Sequence, residues 1–416
     1  MNTGRGAARA KEAGSAMKWN FTKRQMLVLT GASLFQCALL GVLANSTGVL
    51  LTQIRIELEL SMTEISAYYT IKSVVGALGG AFFAALFFKS DKKRYLLFNI
   101  FTLVASYLLL LVGAGNWLWY VAAALSGVSF CTATIMVPHV LGQWFPENIG
   151  FAIGFAMAFS GVGGAVFNPV ASLLIDHFGW KGEILILSAV TVLITIPALG
   201  LMFGEKPPLA PVPARTAEAT APAAPAPAAG HMAVPFILCC LAMLGGTVAS
   251  AFTQYISIYA QGAGYALAVG ATLNSSMQVG NVTGKLIFGI ACDKIGIWKT
   301  MCLAIACIIA ASLCFILVPG CLPLLYVASL LYGFNFALMM ISVSRCSVSA
   351  YGADGAKRYM GFHTSINSAA GAVVSMSVGL LYDATGSFIP ILLLGSGFGC
   401  LSIIAAMTMD RRTSRA

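Results

Sequence analysis

Twelve apolar stretches recur along this chain, each close to the ~20 residues that cross a bilayer as a helix. They fall at about 26–50, 62–88, 94–113, 116–142, 150–174 and 181–203, then 234–260, 266–290, 299–318, 321–345, 358–382 and 387–409. Short polar or Gly/Pro-containing segments separate them. The pattern predicts an all-α integral membrane fold, because lipid offers no partner to an unpaired backbone group. Composition agrees: 9% of the 416 residues are charged, against about 25% in a soluble domain.

The net charge of +10 reads as a topology signal. With both termini in the cytoplasm, nearly all Lys and Arg fall in cytoplasmic segments and only Arg55 and Lys181 lie outside. This is the positive-inside asymmetry. It predicts a multi-pass protein of the cell membrane, and short loops favour a bacterial inner membrane. Residues 1–22 are small, polar and basic, and the first apolar stretch is too long for a cleaved signal, so it is read as a retained helix. No basic folded domain is present to bind nucleic acid. The eleven cysteines, among them Cys239, Cys240, Cys302, Cys307 and Cys314, lack metal-ligand spacing and read as buried free thiols.

The predicted organisation has an N-terminal tail (1–25), a six-helix bundle (26–203), a linker (204–233), a second six-helix bundle (234–409) and a short cytoplasmic tail (410–416). The linker, EKPPLAPVPARTAEATAPAAPAPAAGHMA at 205–233, is an extended Ala/Pro-rich tether. A 6+6 plan around a long cytoplasmic linker resembles that of the major facilitator superfamily.

Two local motifs carry that resemblance further. GIACDKIGIWK (289–299) resembles the superfamily signature G-x-x-x-D-[RK]-x-G-x-x-[RK] between the second and third helices of a half. Here Gly289 is expected to permit close helix contact and Gly296 to supply a turn. Asp293 is expected to meet a helix N-terminus or a basic neighbour, and Lys294 to face the inner surface. This group reads as gating or folding machinery. In the first half the same site is ALFFKSDKKR (85–94), with Lys89 in place of the acid and Lys92 in place of the turn glycine. QWFPENIGFAIGFAMAFSGVGGAVFNPV (143–170) and FGWKG (178–182) look like the span four to five region of oxalate/formate antiporters and monocarboxylate carriers. Gly150, Gly154, Gly161, Gly163 and Gly164 are expected to form a smooth packing face, with a kink at Asn168-Pro169.

Lys72 and Lys285 are the basic residues committed to the membrane interior. A charge there costs at least ~2.5–3.5 kcal/mol, so it is expected to face an aqueous cavity. Lys72 lies seventeen residues before Lys89, or ~25 Å from the inner surface at 1.5 Å per residue, too deep to snorkel. Lys285 lies eight residues before Asp293, ~12 Å in, where snorkelling is the competing explanation. Spans two and eight are pseudo-equivalent in a 6+6 repeat, so the two lysines are expected to face one anion across the repeat interface. In oxalate/formate antiporters the position of Lys285 holds a carboxylate-binding arginine. Lysine keeps the charge and loses the two-pronged fork.

The resemblance places a second cationic ligand in MGFHTSINSAAG (360–371), at the position that here holds Asn367. Proton-coupled monocarboxylate carriers place an acid one turn before the span-eight cation, where this chain has Asn281. No acid is read in the central membrane region; Asp176, Asp383, Glu57, Glu59 and Glu64 fall at outer ends. Exchange or facilitated movement therefore fits better than strong proton coupling. His363 either contacts substrate or is packed. Tyr68 and Tyr69, one turn above Lys72, either close over a bound apolar body or sit as interfacial aromatics. Gln36, Asn45, Ser46, Thr47, Gln254, Tyr255 and Asn335 are more readily helix-binding residues than ligands. His139 is assigned to a VPHV turn. No catalytic grouping, metal site, phosphate loop or cofactor motif is found, so enzymatic function is not expected.

The expected activity is secondary transport of a small organic anion, in particular a monocarboxylate, by alternating access. The competing expectation is carriage or export of larger amphipathic compounds such as bile-acid-like carboxylates. A monomer suffices for either.

Overall fold

The computed structural model describes residues 21–89, 91–112, 117–146, 148–204 and 233–413. Most of the expected linker and N-terminal tail, and the last three residues of the C-terminal tail, lie outside the described residues. Among the described residues, all regular structure is helical. Helix α1 runs Lys23–Glu57, α2 Met62–Lys89, α3 Lys92–Leu110 and α4 Trp117–Trp144. The continuous segment Ile149–Phe203 is broken at Gly179 into α5 (149–178) and α6 (180–203). Helix α7 covers 233–262, α8 Leu267–Ile295 and α9 Ile297–Leu317. Leu322–Thr385 is broken at Gly352 into α10 (322–351) and α11 (353–385), and α12 is Ile389–Thr413. Among the described residues, eight helical segments, Ile149–Phe203 counted as one, are by themselves long and apolar enough to cross a membrane.

Three of the sharpest reversals use one glycine each. Gly179, Gly296 and Gly352 take φ of +68°, +83° and +71° with ψ of 171°, 163° and 175°. A side chain is not tolerated in that region, so a single residue turns the chain without a loop. The VPHV segment differs from expectation: Pro138 sits inside α4, which continues to Trp144. Proline inside a membrane helix is tolerated where neighbours re-satisfy the backbone.

Contacts between helix ends fix the frame. Gln25 Nε2 donates to the Trp144 carbonyl at 2.8 Å, Trp298 Nε1 to Ser349 Oγ at 3.0 Å, and Lys299 lies 4.0 Å from Asp410. These residues gather at the end of the protein where the described chain begins and stops, called here the terminal face. At the opposite, distal face, Tyr259 donates to the Phe315 carbonyl at 2.6 Å.

The first six helices meet the last six along two seams, α2 against α11 and α5 against α8. Glycine makes both possible. A Cβ on Gly379 of α11 would lie 2.6 Å from the Met62 carbonyl and from Ser66 Oγ. One on Gly161 of α5 would lie 2.6 Å from Val282 of α8. Small residues let membrane helices approach to backbone contact, where dispersion replaces the missing hydrophobic drive. The expected glycine face of α5 is thus only partly a packing face. Gly161, Gly163 and Gly164 are tightly enclosed, while a Cβ on Gly150 or Gly154 would find nothing within 4 Å.

Candidate functional site

Helix α1 departs from α geometry where it passes the centre. Cys37–Ala44 is π-helical, and the Asn45 N–H bonds to the Leu40 carbonyl at 2.8 Å. The Leu43 carbonyl accepts from Tyr107 Oη at 2.6 Å, Ser46 Oγ at 3.0 Å and Thr47 Oγ1 at 3.1 Å. Asn45 Nδ2 donates to the Ser160 carbonyl at 2.8 Å. Side chains therefore take up the main-chain groups that the irregular stretch releases, a device common at functional positions in helices. The equivalent helix α7 is also irregular, with a 3₁₀ stretch at Ala251–Tyr255.

Lys72 and Lys285 come from different helix sets, and each meets a residue of the first six helices. Lys72 is half-buried, and its Nζ lies 5.8 Å from the centroid of the Phe130 ring of α4. One turn on, the Ala133 carbonyl accepts from Gln36 Nε2 at 3.5 Å. That same nitrogen lies 3.1 Å from Met157 Sδ of α5, and the Met157 carbonyl accepts from Lys285 Nζ at 3.4 Å. These pairwise contacts involve α2, α4, α1, α5 and α8. Neither lysine has a carboxylate within ion-pairing distance among the described residues.

Helical spacing places a polar stripe on α8. Asn274, Gln278, Asn281 and Lys285 share one face, on which Gln278, Asn281 and Lys285 meet α5 and Asn274 meets α7 and α1. Asn274 Nδ2 donates to Ser257 Oγ at 2.7 Å and Asn281 Nδ2 to Gln278 Oε1 at 2.9 Å. The Oδ1 atoms of Asn274 and Asn281, Gln36 Oε1 and the Tyr69 hydroxyl are buried without a hydrogen-bond partner among the described residues. Such groups are costly to leave unmet.

The other predicted residues are distributed as follows. Tyr69 packs edge-on against Tyr255 of α7, centroids 5.5 Å apart, and so bridges the seam above Lys72. Tyr68 is fully buried and turns into its own set of helices, 5.2 Å from Trp119. His363 is enclosed within the last six helices. Its Nε2 pairs with Tyr351 Oη at 3.1 Å, its Nδ1 with Cys240 Sγ at 3.4 Å, and its ring stacks on Phe236. Asn367 Oδ1 accepts from Thr247 Oγ1. The contacts of His363, Asn367 and Tyr68 named here are to residues other than the lysines.

At the terminal face, Asp293 Oδ1 accepts from Arg345 Nη1 at 2.7 Å, tying the end of α8 to α10. Lys294 is exposed and Gly296 makes the turn into α9. Gly289 corrects the expectation of close helix contact: among the described residues, nothing lies within 4 Å of where its Cβ would be. In the first half Asp91 caps α3, accepting from the Lys93 and Arg94 N–H groups at 2.9 and 3.3 Å.

Several hydrogen bonds join the two sets of helices toward the distal face. Asp383 accepts from Met62 and Thr63, Ser66 Oγ bonds Tyr255 Oη at 2.9 Å, and Thr70 Oγ1 reaches the Ala372 carbonyl at 3.5 Å. The Arg55 guanidinium lies 5.6 Å from the Tyr382 ring centroid. The distal face is closed.

Sequence reasoning misses several of these residues. Phe130 and Met157 are apolar residues in apolar spans and carry no signal by themselves. Glu183 stands out in the sequence as a charge in span six, which is the signal that could have found it. It is 1% exposed, with neither carboxylate oxygen bonded among the described residues.

The geometry has counterparts among known proteins. The Major Facilitator Superfamily pattern matches residues 33–376. A stretch of 72 residues, 17% of this chain, is 35% identical to monocarboxylate transporter 12-B of Danio rerio and spans only 15% of that protein. The human monocarboxylate transporter 12 is 34% identical over 70 residues, 17% of this chain and 14% of that protein. An MFS-type transporter of Aspergillus fumigatus is 27% identical over 267 residues, 60% of each chain. A crystal structure of the nucleoside transporter NupG superposes with a TM-score of 0.73 over 93% of this chain and 100% of that one, at 14% identity, a likeness of fold alone. With the family pattern over most of its length, this multi-pass helical protein belongs to the major facilitator superfamily.

Proposed function

We propose that the chain is a secondary carrier for a small organic anion, in particular a monocarboxylate, held between Lys72 and Lys285. The observation that carries this reading is the series of contacts Lys72–Phe130, Gln36–Ala133, Gln36–Met157 and Lys285–Met157, with neither ammonium paired to a carboxylate among the described residues. A buried cation lacking a fixed counter-ion is suited to a mobile one. The partial similarity to proteins named monocarboxylate transporters supports the same substrate class.

Alternating access follows from the family plan of two helix sets moving about a midplane site. The closed distal face and the seam along α5 and α8 describe one end of that cycle. An empty site leaves the two cations facing each other, which disfavours reversal until an anion is bound and so favours exchange or facilitated movement. Neither lysine has an acid beside it among the described residues, which supports that reading over strong proton coupling. Asp293 and Arg345 act as a structural tie at the gate. The positive-inside asymmetry supports a bacterial inner membrane with the terminal face in the cytoplasm. A monomer contains the whole site.

The test is counterflow in proteoliposomes loaded with carboxylates, comparing wild type with Lys72→Ala and Lys285→Ala, each checked for folding by its melting temperature. Internal anion should accelerate uptake in wild type, and both substitutions should abolish it. Normal exchange by both variants would make the lysines structural and overturn the proposal.

A further inference from the structure

The residue that shares the site with Lys72 is aromatic, and its orientation is fixed by its neighbours on α4. Gly127, three residues before Phe130, is pressed against α2 at the Lys72 carbonyl and Gly76. Ala133, three residues after, gives its carbonyl to Gln36 of α1. Ser129 is turned to α3, where its carbonyl accepts from Asn99 Nδ2 at 3.0 Å. At 100° per residue, Phe130 falls between the directions facing α2 and α1 and away from α3. Its ring is 47% exposed. That exposure therefore opens toward the space between α1 and α2, and not toward α3.

Further aromatic and soft groups bound this space. Tyr69, on the preceding turn of α2, meets Tyr255 edge-on across the seam and leaves its hydroxyl without a partner among the described residues. Met157, a polarisable side chain that adapts to flat ligands, lies between Gln36 and Lys285. The Lys72 ammonium is parked against an aromatic ring, a weak cation–π partner that a carboxylate outcompetes.

Resting on the anion-carrier reading, we infer that the preferred substrates are aryl-substituted monocarboxylates. The carboxylate draws the Lys72 ammonium away from Phe130 and toward Lys285. The substrate ring then takes the exposed Phe130 surface in an offset or edge-on pair, beneath Tyr69 and Tyr255. A specific aromatic pair yields a preference of about three- to tenfold over an aliphatic group of equal size. Short carboxylates are bound by the lysines and lack this contribution.

The experiment is competition in the same counterflow assay with acetate, cyclohexylacetate and phenylacetate. Cyclohexylacetate matches phenylacetate in bulk and lacks the π face. Phenylacetate should compete about threefold or more strongly than cyclohexylacetate. Phe130→Leu should erase that ratio, and Phe130→Trp should keep it. Equal competition by the two ring compounds, or an unchanged ratio in Phe130→Leu, would overturn the inference while leaving the two-lysine site intact. Failure of every carboxylate to exchange would remove the underlying reading and this inference with it. If Phe130→Leu does not fold, Phe130→Ile gives the same comparison, again without a ring.

Discussion

Asp383 of α11 and Thr63 of α2 join the two helix sets at the distal face. Asp383 Oδ2 accepts from the Thr63 N–H at 2.8 Å and from its hydroxyl at 2.6 Å, while Oδ1 accepts from the Met62 N–H at 2.9 Å. A carboxylate from one set thus caps the first turn of a helix in the other, where orphan N–H groups and the helix dipole favour an anion. Loss of a helix cap costs about 1–2 kcal/mol. Asp383→Ala is expected to weaken distal closure by about five- to thirtyfold. In a cysteine-depleted background, a reporter Thr70→Cys should be labelled from the distal side correspondingly faster. An unchanged labelling rate would show that other contacts hold this face.

Glycine substitutions separate structural contact from mere position in a motif. A Cβ on Gly280 would collide with the Leu330 carbonyl, and one on Gly333 with the Met277 carbonyl, both main-chain atoms that cannot rotate aside. Gly280→Ala and Gly333→Ala should each cost about 1–3 kcal/mol through overpacking. Gly289→Ala meets nothing among the described residues and should be neutral or gain up to about 1 kcal/mol of helix propensity. Melting temperatures in detergent give the ranking, and a destabilised Gly289→Ala would reverse it.

The Asp293–Arg345 pair is exposed on both sides, 69% and 46%. Its contribution to stability is expected to stay below about 1 kcal/mol. Its effect on turnover should be larger if it acts at the gate. Asp293→Arg should slow exchange, and adding Arg345→Asp should recover most of the rate. A double variant no faster than the single one would argue for a purely local role.

Glu183 presents the opposite case, a carboxyl group enclosed among helices without a hydrogen bond among the described residues. Replacing a buried, unmet polar group by an apolar one of similar shape is often neutral or stabilising. Glu183→Met is expected to melt at or above the wild-type temperature. A fall of more than a few degrees would reveal a partner on which the carboxyl group depends.

The helices are legible in the sequence because lipid imposes a length and a hydropathy that no other environment requires. The span at 62–88 appears as Met62–Lys89 and that at 299–318 as Ile297–Leu317. Gly296 can be placed at a turn because few other residues enter its backbone region. The depth of Lys72 and Lys285 follows from counting residues along a helix. Their neighbours do not, because which face of α4 meets α1 depends on packing between distant segments. Gly289 and Gly161 show the same limit. Both are glycines within helices, yet only Gly161 lies against another helix. His363 looks available by depth, and its engagement with Tyr351 and Cys240 is a tertiary fact.

Lys285 rests on the main-chain carbonyl of Met157, not on a side chain. A peptide oxygen survives every substitution, so variation at position 157 can reshape the wall of the site without removing the cation's resting place. A neutral dipole also releases an ammonium more readily than a carboxylate does. The two properties together give this position latitude to diversify: the walls around the charge are free to change under selection while the charge itself keeps a fixed, easily vacated berth.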